Sequence, residues 1–133
     1  MENQETQQVA IFTCAGGSNT GQTANAAGVK LAQAGLGYLA CLAGVGAGAE
    51  NTVKKLAGAR RVVVIDGCQI ACAKKMLEKA RVKIDCYVQV MALGVRKDLR
   101  VLEPNQAAVA RVFDAVTEEI SRAGASLPRL VSE

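Results

Sequence analysis

Val62–Asp66 reads Val-Val-Val-Ile-Asp, a run of mostly β-branched apolar residues with no polar residue at alternate positions. Such a run suits a strand covered on both faces, because a strand with one wet face alternates apolar with polar residues. Arg60 and Arg61 lead into it, and it runs out into Gly67-Cys68. A helical pattern follows at once, with Ala73, Met76, Leu77 and Ala80 on one stripe. A doubly covered strand feeding a helix is half of a βαβ unit, which restricts the chain to a parallel sheet with right-handed crossovers.

The rest of the chain repeats the alternation. Val9–Cys14 is a first apolar strand, ended by Gly16-Gly17 and then by Ser18, Asn19 and Thr20, all good N-cap residues. A helix is expected to about Ala34, with Ala24, Ala27, Leu31 and Ala34 inward and Gly35 as its stop. Gly37–Leu42 reads as a shorter second strand, Ala43–Ala49 as a glycine-rich turn or loop, and Glu50–Ala57 as a short helix. Cys86–Ala92 is a fourth strand, and Pro104-Asn105 opens a last helix striped by Val109, Val112, Phe113, Val116 and Ile120. The expectation is one small three-layer, Rossmann-like α/β domain over residues 9–127, with a mostly parallel sheet of about four strands and flanking helices. Residues 1–8 and 128–133 read as tails.

Composition narrows the function classes. Half of the 133 residues are hydrophobic, which suits a packed core rather than a disordered chain. The net charge of +4 is scattered and not interleaved with aromatics, so no nucleic-acid module is expected. No stretch nears the roughly 18 continuous apolar residues of a membrane span. Met1–Gln8 is polar and lacks the charged-then-apolar pattern of a signal peptide, so the expectation is a cytoplasmic protein. There thiols stay reduced, and five cysteines, an odd number, point to metal or thiol chemistry rather than to a disulfide framework.

Four of those cysteines, Cys14, Cys41, Cys68 and Cys72, fall where a strand runs out into a loop or helix. In a parallel sheet these ends share one edge, the edge where such folds bind ligands. The chain has no histidine, so a transition-metal site must be built from thiolates, with a carboxylate at most. Cys68 and Cys72 are spaced C-x-x-x-C. In a first helical turn they would lie on one face, roughly 5–6 Å apart at Cβ. A helix N-terminus would also favour thiolate. Each cysteine alone reads equally as a small buried hydrophobe, and the set of four is what argues for a site. Cys86 starts its strand and alternates with Val88 and Val90, so it belongs to the core at the opposite edge.

Other residues at the cysteine edge have a functional and a plain reading. The Cys14–Gly21 segment could turn backbone N–H groups of Gly17, Ser18 and Asn19 toward an anion, or simply cap a helix. It is neither a Walker loop nor a G-x-G-x-x-G fingerprint. Arg96 and Lys97 could draw an anion to the same crevice or be solvated surface. Asp66 reads as a turn-former or as an acceptor behind the thiols, and less readily as a ligand itself.

These motifs together resemble the DGC-domain family of small bacterial and archaeal proteins, described as zinc-binding. The resemblance rests on Asp66-Gly67-Cys68, on C-x-G-x-S-N-x-G at Cys14–Gly21, on Cys41 in Cys-Leu-Ala and on Cys72 in Cys-Ala-Lys-Lys. It spans roughly Ala10 to Lys97. It implies zinc held by Cys14, Cys41, Cys68 and Cys72, with Cys86 outside the set, and it implies no particular reaction. The role of such a site could be structural, trafficking or sensing. A cysteine-based redox protein or thiol enzyme, or an iron–sulfur cluster on the same residues, remains an alternative, and the absence of histidine removes the common Cys-His arrangements. No substrate is legible. A protein partner or a homodimer is left open.

Overall fold

The computed structural model describes residues 8–126. The expected tails over 1–8 and 128–133 lie outside the described residues, apart from Gln8.

The sheet is built from β1 (Val9–Thr13), β2 (Tyr38–Leu39), β3 (Arg61–Asp66) and β4 (Cys86–Gln89), in the order β2-β1-β3-β4. Every pairing is parallel, with Ile11 opposite both Leu39 and Val63, and Val63 opposite Cys86. β1 and β3 are buried along their whole length, as their unbroken apolar runs require.

Helices cover both faces. α1 (Asn19–Gln33) and the long α5 (Gln106–Ser126) lie on one, where Ala24, Ala27, Leu31, Val112 and Val116 meet Ile11, Val63 and Ile65. α2 (Leu42–Ala47), α3 (Glu50–Ala57) and α4 (Cys72–Lys79) lie on the other, where Val45, Leu56, Ala73 and Leu77 meet Phe12, Val62 and Val64. The chain leaves β1 for β2 through α1 on the first face. It then reverses, reaching β3 and β4 through helices of the second face. The reversal falls between β1 and β3, and crevices at such switch points are where open parallel sheets hold ligands.

Three expectations are corrected. Ala43–Ala49 is not a loop: Leu42–Ala47 is helical, closed by Gly48 at φ +69°. Its glycines serve close packing, because a Cβ on Gly44 would strike Thr52 and one on Gly46 would come within 2.9 Å of the Met76 sulfur. The second strand shrinks to Tyr38–Leu39. The fourth ends at Gln89, where a 3-10 turn (Val90–Leu93) takes over and Met91 N–H donates to the Gly67 carbonyl at 3.0 Å.

Candidate functional site

The carboxyl ends of β2, β1 and β3 are adjacent and carry Cys41, Cys14 and Cys68 in that order. At the switch point a cleft of about 230 Å³ opens. Cys14, Cys68, Cys72 and Lys97 line it, together with the Gly16–Ser18 turn and Asp66. Cys41 does not line the cleft; it caps α2 one strand away and is exposed. Cys86 lies at the other end of the sheet, packed against the α1/α5 core.

Three of the four edge sulfurs accept hydrogen bonds. Gly67 N–H donates to Cys14 Sγ at 3.3 Å and Gly44 N–H to Cys41 Sγ at 3.2 Å. The Lys97 ammonium donates to Cys68 Sγ at 3.4 Å. Burial pushes the Cys14 thiol above its ordinary value, with N–H groups of Gly16 and Gly67 pulling the other way.

Cys68 is not in a helical turn. It sits in a loop, and α4 begins only at Cys72, after Ala71 in the left-handed region at φ +56°. The cause is Asp66. Its buried carboxylate accepts from the N–H groups of Ala73 (2.9 Å) and Lys74 (3.0 Å), the second and third residues of α4. This remote cap fixes the helix start and satisfies two of its orphan donors. The Tyr87 hydroxyl donates to the same carboxylate at 3.0 Å. Burial, with Asp66 adding to it, pushes that phenol up to about 12. Ala15, directly after Cys14, is also left-handed at φ +48°. Two strained non-glycine residues thus border the cleft, and strain of this kind gathers at functional sites.

Ser18 is the N-cap of α1, accepting from Gly21 N–H at 3.0 Å. Gly17 lines the cleft with open space where a Cβ would stand. Gly67 lies against α1 so closely that a Cβ there would come within 2.6 Å of the Gly21 nitrogen. Asn19 has a role that its sequence position hides. Its side chain donates to the Arg96 carbonyl (2.7 Å) and accepts from Asp98 N–H (2.6 Å), tying the segment after β4 to the start of α1. Ile70 and Leu99 also line the cleft and were not singled out from sequence. Their unpaired apolar character in loop segments was the available signal.

The sequence profile of the DGC domain matches residues 10–116. The chain belongs to the DGC-domain family. It is similar to the anaerobic and virulence modulator AnvM of Pseudomonas aeruginosa, at 30% identity over 87 residues. That match covers 65% of this chain and 66% of AnvM, just under two thirds of the relative's length. No solved structure matches the chain at a significant level.

An all-thiolate donor set suits zinc in kind. In position it is incomplete. Among the described residues, no group of three or more cysteines and carboxylates stands close enough to hold a metal ion. Asp66 is also committed to three donors already. What the arrangement offers is three thiols around one cleft and a fourth at the neighbouring strand end.

Proposed function

We propose that this domain binds a metal ion through cysteine thiolates at the switch point of its sheet. Zinc is the metal, and Cys14, Cys41, Cys68 and Cys72 are the ligands. The observation that carries this reading is the cleft between β1 and β3, which already gathers Cys14, Cys68 and Cys72. Cys41 and Cys72 are exposed, so they have room to move toward the others. Binding then draws the ligand set together, which suits sensing or trafficking better than a purely structural role. The Pseudomonas aeruginosa relative is named a modulator. In this reading the present chain is likewise a modulator, with metal occupancy as its input. The reading places the protein in a reducing compartment, the cytoplasm, where thiols stay available.

The Lys97–Cys68 contact favours a second reading, in which the same cysteines act without metal as redox or nucleophilic thiols. An iron–sulfur cluster would use the same ligands.

Anaerobic purification without added metal separates the three, using elemental analysis, visible absorbance and a free-thiol count. Close to one zinc per chain and no colour is expected. Cys68→Ser and Cys72→Ser should lose the zinc, whereas Cys86→Ser should keep it. A brown chromophore, or metal-free protein with reactive thiols, overturns the zinc reading.

A further inference from the structure

Few large apolar side chains are exposed among the described residues, and they are unevenly placed. Leu99 (69%), Leu102 (56%) and Val101 share one short segment, and Ile70 (51%) comes from the loop after β3. Leu99 and Ile70 both line the cysteine cleft. The segment is a strap pinned at both ends onto α1. Asn19 holds one end through its side-chain bonds to Arg96 and Asp98 and through its own N–H to the Asp98 carbonyl at 3.2 Å. At the other end Asn105 N–H donates to Thr23 Oγ1 at 2.9 Å. A strap fixed in this way is not a lid about to fold its apolar residues inward. Its leucines stay in water until something covers them, and exposed apolar side chains gathered beside a cleft, as Leu99 and Ile70 are, mark a candidate interaction site.

The rim is basic. Arg96, Lys97 and Arg100 stand on the strap against two carboxylates, and one of these, Asp98, is held by Arg100 N–H at 2.8 Å and by the Arg100 guanidinium at 3.4 Å. Glu103 is the other. The N-termini of α1 and α4 meet at the same edge and add partial positive charge. A second copy meeting this face with its own would set strap cations and helix N-termini of like sign against one another.

We infer that the strap and Ile70 form a docking lip, over the cysteine cleft, for an extended segment of another protein in which acidic residues flank large apolar ones. The partner's apolar side chains would cover Leu99, Leu102 and Ile70, and its carboxylates would meet Arg96 and the strap's other cations. The strap's part of this surface, Leu99 and Leu102, is tied to α1 outside the loop that carries Cys68, so its failure is separable from failure of the zinc reading.

The test is a displayed library of random peptides selected on the whole chain, with and without added zinc. Enriched peptides should combine Asp or Glu with Leu, Ile, Val or Phe. A Leu99→Ser/Leu102→Ser double variant should weaken a selected peptide about tenfold or more. Arg96→Glu should weaken it as well. Both replace exposed side chains, and thermal melts should show an unchanged fold. The inference is overturned by enrichment no better than on a control protein, by peptides without acidic residues, or by equal binding to the double variant. It is also overturned if the double variant instead abolishes self-association or binding to anionic lipid vesicles.

Discussion

At Asp66 one carboxylate decides where α4 begins, and with it where two cysteines stand. Ala71, the residue at the formal cap position, has no side chain able to cap, so the N–H groups of Ala73 and Lys74 depend on an acceptor from the end of β3. Removing it strands two donors and the Tyr87 hydroxyl. Asp66→Ala should therefore cost about 2–4 kcal/mol of stability. Asp66→Asn should cost less, because it keeps the shape and one acceptor. Urea denaturation of the reduced proteins measures both. A loss below about 0.5 kcal/mol for the alanine variant would show that water replaces the carboxylate without penalty. The aspartate and glycine beside Cys68 thus have structural reasons to be there. One anchors the helix that bears Cys72, and the other lets the loop bearing Cys68 lie against α1.

Among elements, those with a strong period were legible in the sequence. β1, β3, α1, α3 and α5 fall where their apolar runs and stripes predict, and Asn105, expected with Pro104 to open the last helix, stands just before α5 and accepts from Ala108 N–H at 3.0 Å. α2 was not legible, because its glycines suggest a turn locally while the packing on Thr52 and Met76 asks for small residues in a helix. The shared edge of Cys14, Cys41 and Cys68 could be read from strand ends alone. The Asp66 cap and the Asn19 tie could not, since they join residues that no local pattern links. The core position of Cys86 on β4 carries a pH prediction. Burial chiefly, with Glu119 adding to it and Arg61 opposing, pushes this thiol from 9.0 to about 11. The folded state then keeps a proton that the unfolded state loses. Stability from this group is full below pH 9 and declines as pH rises toward 11. Melting temperatures at intervals from pH 8 to 11 should fall less steeply for Cys86→Ala than for the parent protein. Tyr87, raised for similar reasons, remains in both and supplies the common part of the slope. Equal slopes would show that water reaches the half-buried Cys86 thiol well enough to cancel the effect of burial.

For the whole molecule, the question is whether the site holds the fold or the fold holds the site. Two apolar layers, one under α1 and α5 and one under α2 to α4, enclose β1 and β3 without help from Cys41, Cys68 or Cys72. Cys14 touches both layers, but as a partly buried side chain at their edge. A domain of this length buries roughly two-thirds of its unfolded surface, enough to fold on its own core. Small zinc-dependent domains differ, because there metal binding and folding are one event. Strong chelator under reducing conditions should therefore leave the far-ultraviolet circular dichroism spectrum and a single cooperative melt in place. The midpoint should move by about 10 °C or less, the shift of a few kcal/mol in a domain of this size. Loss of the cooperative transition would instead make the metal part of the fold, and the cysteine edge would then be a staple rather than a functional site. Retention would leave the two cores as the scaffold that carries the cysteine edge, which is what the proposed metal-sensing role requires.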